Sequence, residues 1–73
     1  MHPIARYRRA KGLTQTELAQ QVGVALNTVQ SWERGAKPRP RYQVKLAEAL
    51  SMGSLQLLDE IEQWKAKGKT DAA

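Results

Sequence analysis

Apolar residues recur along this 73-residue chain at intervals of three and four, the period of an α-helix with one buried face. They fall into five short blocks, and glycine or proline stands between successive blocks. The pattern predicts helices over about residues 3–11, 15–22, 26–34 and 41–50, and a fifth that begins near residue 54. We therefore expect an all-α, compact five-helix domain over residues 1–65, followed by a flexible tail over residues 66–73.

The second and third predicted helices are joined by a short turn at residues 22–25. Thr14 and Glu17 have the spacing of a capping box, which starts the second helix. Ala19 is small enough for two helices to cross closely, and Gly23 tolerates the positive φ that a sharp bend needs. The apolar residues expected to hold the angle between the helices are Leu18, Val22, Val24, Val29 and Trp32. Together these positions predict a helix-turn-helix, a motif whose second helix enters the DNA major groove.

The last two helices have more apolar residues than one face requires. We expect the fourth to bury some combination of Val44, Leu46, Ala47 and Leu50. In the fifth, Leu57, Ile61 and Trp64 form a stripe that suits a partner helix. We assign Leu55 and Leu58 to the domain's own core and predict a homodimer interface at Leu57, Ile61 and Trp64. The alternative is that this stripe covers the domain's own core.

Charge is unevenly distributed along the chain, whose formal net charge is +5. Residues 1–41 carry eight arginines and lysines against two glutamates, whereas residues 42–73 are close to neutral. This asymmetry favours a polyanion on one side of the molecule and another partner, such as a second subunit, on the other. A generally basic, soluble protein is the alternative interpretation.

Several classes of protein are disfavoured by what the chain lacks. It has no cysteine, no apolar run of about 18 residues and no apolar stretch near its start that resembles a secretory signal, so we expect a cytoplasmic protein. Its one histidine stands at a terminus expected to be mobile, and no phosphate loop or carboxylate pair is apparent. We therefore expect no enzyme, no metal, no cofactor and no small-molecule ligand.

Four segments of the chain carry a family resemblance: residues 13–19, 22–24, 29–35 and 45–50. They are similar to the Cro/C1-type (XRE-like) helix-turn-helix family, and especially to the DNA-binding domains of lambdoid phage repressors and Cro proteins, including the Pro40-Arg41 pair. The similarity covers about residues 4–58. It implies a lambda-repressor-like fold that binds operator DNA, usually as a dimer, in the bacterial nucleoid or a phage-infected host.

The resemblance also implies which residues meet DNA. Base contacts are expected from Gln15, Leu26, Asn27, Thr28 and Ser31. Asn27 can pair with adenine, whereas Leu26 stands where relatives often have glutamine and can only pack on a thymine methyl. In the resembling repressors the position of Gln15 also contacts a phosphate and joins a bridging glutamine network. Ala25 replaces the usual Ser or Thr cap.

Phosphate or minor-groove contacts are expected from a second set of residues: Thr14, Gln30, Arg34, Lys37, Arg39 and Arg41. By resemblance, Arg41 reaches into a narrowed minor groove near the dimer centre. An ordinary solvated side chain is the alternative for each of these positions. The resemblance further implies a partly buried, structural ion pair between Arg8 and Glu33.

These features predict a sequence-specific regulator that binds double-stranded DNA, most simply a Cro-like repressor that binds a palindromic operator as a homodimer. Three alternatives stay open. The domain could be an antitoxin that also regulates its own operon, a controller of a restriction-modification operon, or a protein-binding adaptor that retains the fold without DNA affinity.

Overall fold

A computed structural model describes residues 1–67, and these residues form five α-helices. Their bounds are α1 Pro3–Ala10, α2 Gln15–Val22, α3 Leu26–Glu33, α4 Pro40–Ala49 and α5 Ser54–Ala66. The all-α, five-helix prediction is confirmed, and each helix begins within about one residue of its predicted position. Residues 68–73, most of the predicted tail, lie outside the described residues. Within residues 1–67 no helix is long and apolar enough to cross a bilayer.

Local signals in the sequence explain where the helices begin. Proline occupies the first turn of both α1 and α4, where its missing N–H leaves no hydrogen bond unmade. At the start of α2, the Thr14 hydroxyl accepts a bond from the Glu17 amide at 3.1 Å, and the Glu17 carboxylate accepts from the Thr14 amide at 2.8 Å. The predicted capping box is therefore present.

The core lies where all five helices meet. Each helix contributes one side chain with no exposed surface, and these are Ile4, Leu18, Val29, Leu46 and Leu57. Helix α2 packs against α3 and α4, whereas α1 packs against α3 and α5. Helix α4 also packs against α5, which closes the domain. Helices α1 and α4 thus pack directly against the helix-turn-helix pair, and α5 packs against both of them.

The structure contradicts the predicted assignment of α5 side chains to the domain core and to the dimer interface. Leu57 and Ile61 are buried in the domain's own core, so they cannot meet a second subunit without unfolding the first. Leu55, which we assigned to the core, is 82% exposed, and Leu58 is only partly buried. Residues 57, 61 and 64 do share one face, but α5 turns that face inward because it packs against α1 and α4.

The structure agrees with one expectation about burial and corrects another. Of the four candidate core residues of α4, Leu46, Ala47 and Leu50 are buried, whereas Val44 is 55% exposed. The histidine that we expected at a mobile terminus is buried and caps α1, because the His2 Nδ1 atom accepts a hydrogen bond from the Ile4 amide at 3.1 Å.

Candidate nucleic-acid interface

The turn between α2 and α3 has the geometry that the sequence predicted. Gly23 caps α2 with φ 86°, and its amide donates to the Ala19 carbonyl at 2.8 Å. Glycine reaches this left-handed conformation without the steric cost that a Cβ would add. Helix α3 then begins at Leu26, and Ala25 supplies no side-chain hydrogen bond to its first turn. This helix start therefore lacks the usual side-chain cap, as the sequence indicated.

Helix α3 has a buried face and an outward face. Val29 and Trp32 point into the core, where the Trp32 ring lies 6.2 Å from that of Tyr42 on α4. On the outward face, Leu26 is 41% exposed and Asn27 is also exposed. The remaining predicted base contacts on this helix, Thr28 and Ser31, are partly buried. The first residues of α3 are therefore the most exposed part of this face, and the partly buried hydroxyl groups of Thr28 and Ser31 follow them along the helix.

The C-terminal end of α3 is fixed to α1 by the expected ion pair. The Arg8 Nε atom donates to a Glu33 carboxylate oxygen at 2.7 Å, and both side chains are about nine-tenths buried. A second guanidinium nitrogen lies 3.3 Å from the other carboxylate oxygen, and the third donates to the Leu13 carbonyl at 2.8 Å. All the polar groups of this buried pair therefore have partners, which is the condition for it to be tolerated in a core.

Two glutamines extend this pair towards the surface. The Gln15 side-chain amide donates to Glu33 Oε1 at 2.9 Å, and the Gln15 oxygen accepts from the Gln30 amide at 3.5 Å. Gln15 and Gln30 are both partly buried. The network expected of Gln15 is therefore present within the protein itself, with Gln30 as its outer member. Thr14, beside them, is held by its capping bonds.

Four exposed cations follow α3 along the chain: Arg34, Lys37, Arg39 and Arg41. None of these four, which we call the cationic arc, forms an ion pair with a carboxylate of residues 1–67. By contrast, Arg6 is paired with Glu60 at 2.5 Å. The arc adjoins the start of α3, because Lys37 and Arg39 line one groove with Thr28 and with Ala25, the residue before the helix.

A second contact that holds the C-terminal end of α3, between Gly35 and Trp64, was not predicted. The Trp64 ring lies 3.4 Å from the point where a Cβ on Gly35 would stand, immediately after α3, and 4.5 Å from the His2 ring centre. Gly35 has φ 119°, so both its conformation and the adjacent ring favour glycine. The sequence around Gly35 did not predict this contact, because Trp64 belongs to a helix that is distant along the chain.

The described residues contain no cluster of three or more potential metal ligands.

Comparisons with known proteins agree with this geometry. A family model described as a helix-turn-helix matches residues 4–58, which is more than half of the chain. The HTH-type transcriptional regulator SinR of Bacillus subtilis (strain 168) is 34% identical over 71 residues, a match that covers 94% of this chain. The chain spans 64% of the length of that relative. No solved structure matches the chain.

Proposed function

This chain belongs to the helix-turn-helix family, and from that premise we propose that it is a DNA-binding transcriptional regulator that represses transcription by binding a near-palindromic operator as a homodimer. The observation that carries the proposal is the juxtaposition of two features. One is the exposed start of α3, and the other is the cationic arc beside it, which has no carboxylate partner in residues 1–67. Unpaired cations bordering a helix of this motif suit phosphates on either side of a groove.

In this proposal the start of α3 reads bases. Asn27 is exposed and can accept from adenine N6 while it donates to N7. Leu26 is exposed enough to pack on a thymine methyl. Thr28 and Ser31 lie on the same helix and are partly accessible, so they contribute at the edges of the contact. Gln15, held by Glu33, reaches a phosphate with its remaining N–H.

The cationic arc neutralises phosphates and sets the register of the protein on the duplex. Arg34 occupies the C-cap position of α3 and Arg39 the N-cap position of α4, so the backbone of the arc is fixed between two helices. Arg41 lies with its guanidinium carbon 5.4 Å from the centre of the Tyr42 ring, which restrains the direction of the side chain. In the proposed dimer, Arg41 enters the narrow minor groove at the operator centre.

The dimer interface of this proposal uses exposed apolar side chains of α4 and α5 and not the α5 face that the sequence indicated. Leu55 and Val44 are the most exposed large apolar side chains in the described residues, and Leu58 is partly exposed. A second copy that covered them would remove these apolar groups from water. Two α3 helices related by the two-fold axis would then read half-sites about 10 bp apart.

The proposal is tested by selecting a preferred sequence from a random duplex library and measuring its affinity against salt concentration. Two to four phosphate contacts per protomer predict that the logarithm of affinity falls with that of salt concentration with a slope of about −4 to −7 for a dimer. Arg39→Gln should reduce this slope by about 2 per dimer, whereas Lys67→Gln, an exposed cation at the end of α5, should leave it unchanged. A flat salt profile would refute DNA binding and favour a protein-binding adaptor.

Base readout is tested on the same selected sequence. Asn27→Ala should cost about 1–3 kcal/mol of affinity and relax the preference at one base pair in each half-site. Gln63→Ala is the control, because Gln63 is exposed on α5 and its side chain donates to Asp59 of the same helix. If Asn27→Ala weakened binding to every sequence equally, the assignment of Asn27 as a base reader would be wrong. A footprint over a single half-site would refute the dimer.

A further inference from the structure

The start of α3 carries no hydrogen-bonding side chain at three consecutive positions. Val24 and Ala25 precede the helix, and Leu26 is its first residue. We call these three residues the apolar start. Ala25 is exposed and Leu26 is 41% exposed, and Leu26 is the one exposed large apolar side chain in residues 15–33 of the described chain. Asn27 is the first residue of α3 whose side chain can bond to a base.

The apolar start adjoins residues that the proposed function assigns to phosphates. Lys37 and Arg39 of the cationic arc line one groove together with the first two residues of the apolar start. Phosphates border the major groove on both sides, so cations that bind them hold the adjoining residues near the base edges. Under the proposed function, Leu26 therefore meets base edges and not the sugar-phosphate backbone.

A leucine side chain recognises only one kind of group in the major groove. It has neither a donor nor an acceptor, so it forms no hydrogen bond with the nitrogen and oxygen atoms of the base edges. The C5 methyl of thymine is the one apolar group that an unmodified base pair presents there. Packing Leu26 on this methyl removes both groups from water, and the gain in affinity grows with the apolar area that is covered.

This contact does not distinguish thymine from a cytosine that carries the same methyl group. The two bases differ beside the methyl, where thymine presents an oxygen acceptor and cytosine an amino donor. Leu26 bonds to neither group, whereas an amide side chain at the same position would bond to one or the other and so tell the bases apart. For Leu26 the presence of the methyl therefore matters more than the identity of the pyrimidine.

We propose that Leu26 reads the C5 methyl of a pyrimidine, in thymine or in 5-methylcytosine, so that an operator cytosine is bound more tightly when it carries this methyl. The inference rests on the proposed function and extends it, because affinity then depends on a chemical modification of the DNA as well as on its sequence. Burial of one methyl group corresponds to about a fourfold change in affinity for each half-site. A dimer that meets two such bases should show a change of about 15-fold.

The test compares base pairs that differ in the methyl group alone. Each thymine of the selected operator is first replaced by uracil, which lacks the methyl and keeps the same hydrogen-bonding groups. Affinity should fall about fourfold at the base that meets Leu26 when one half-site is changed. At that position, cytosine and 5-methylcytosine are then compared, each paired with guanine. The methyl should again raise affinity about fourfold, even if the change of base pair lowers the affinity of both duplexes.

Two variants assign the effect to a side chain of the protein. Leu26→Ala should reduce both methyl effects to less than about twofold, because the shorter side chain covers less of the methyl. Asn27→Ala changes the neighbouring exposed residue and is the matched comparison. It should weaken binding and leave both methyl effects as they are in the wild type. Because Leu26 is exposed, urea unfolding should show that the stability of Leu26→Ala is nearly unchanged.

Three results would overturn the proposal. If no thymine of the operator lost affinity on replacement by uracil, Leu26 would touch no C5 methyl. If the methyl effects persisted in Leu26→Ala, they would arise from the shape of the DNA and not from this side chain. If the methyl strengthened binding on the thymine ring but not on cytosine, the site would distinguish the two bases. A wild-type protein that bound no duplex sequence selectively would instead refute the proposed function itself, together with this inference.

Discussion

The buried His2 imidazole makes the stability of the domain depend on pH. Its Nδ1 atom accepts the Ile4 amide at 3.1 Å, so the folded domain requires that nitrogen to be unprotonated. The residue is only 3% exposed, and its ring packs edge-on against Trp64. Burial is the main reason that the pKa of His2 is lowered from 6.5 to about 4. The charges of Lys65 and the N-terminus lower it further, while Glu33 opposes them.

The direction of the effect follows from linkage between protonation and folding. Below pH 6.5 the unfolded chain binds a proton that the folded chain does not bind until about pH 4. Stability therefore falls as the pH is lowered through this interval and levels off below it. The complete loss corresponds to about 3 kcal/mol, of which about 2 kcal/mol is lost between pH 7 and pH 5. For a domain of this size, that is a large share of the total stability.

Urea unfolding followed by circular dichroism at pH 7, 6 and 5 measures this loss. His2→Asn is the matched variant, since asparagine is a good helix cap that does not titrate in this range. Its stability should change much less than that of the wild type between pH 7 and 5. An NMR titration of the chain's single histidine provides an independent check. Parallel pH profiles for the two proteins, or an imidazole pKa near 6.5 in the folded state, would refute the reasoning.

Three further substitutions test other parts of the fold by urea unfolding. Arg8→Met leaves a buried carboxylate without its partner and should cost about 3–5 kcal/mol, whereas a loss below about 1 kcal/mol would show that the pair is effectively solvated. Gly23→Ala should cost about 1–2 kcal/mol through its positive φ alone, because an added Cβ meets no atom within 4 Å. Gly53→Ala is the control and should be close to neutral, because Gly53 is equally open but has φ −75°. Leu57→Ala should cost about 2–5 kcal/mol of unfolding free energy. Leu55→Ala should leave the stability of the monomer nearly unchanged and weaken dimerisation in sedimentation experiments. Equal losses of unfolding free energy for the two variants would contradict the inward orientation of the Leu57 face of α5.

The parts of the fold that were predicted correctly have causes that lie close together in the chain. The capping box at Thr14 and Glu17 involves residues three apart, and the bend at Gly23 depends on the conformation of one residue. Prolines at the first turns of α1 and α4 act on their own helices. Because such signals need no knowledge of the remaining structure, the helix bounds could be inferred from the sequence. The Arg8–Glu33 pair was expected only through the family resemblance.

The errors concern contacts between distant parts of the chain. Helical periodicity shows that Leu57 and Ile61 share a face, but it cannot show which way that face points when Leu55 and Leu58 make a second apolar stripe. The packing of α5 against α1 and α4 determines which of the two stripes is buried. His2 was missed for a similar reason. Pro3 at the first position of α1 does place His2 at the cap, yet burial of its ring depends on Trp64, more than sixty residues away.

The ion pair and the close glycine contact of α3 lie at its C-terminal end, away from the residues that the proposed function assigns to base reading. Glu33 is bonded to Arg8, and Gly35 lies against Trp64, so α1 and α5 both hold the C-terminal end of the helix. At the other end, Ala25 gives no side-chain cap, and Leu26 is substantially exposed. Few folding contacts would therefore be lost if the side chains at the start of α3 changed. Under the proposed function, this separation allows the residues that are assigned to base reading to vary while the residues that hold the helix in position stay the same.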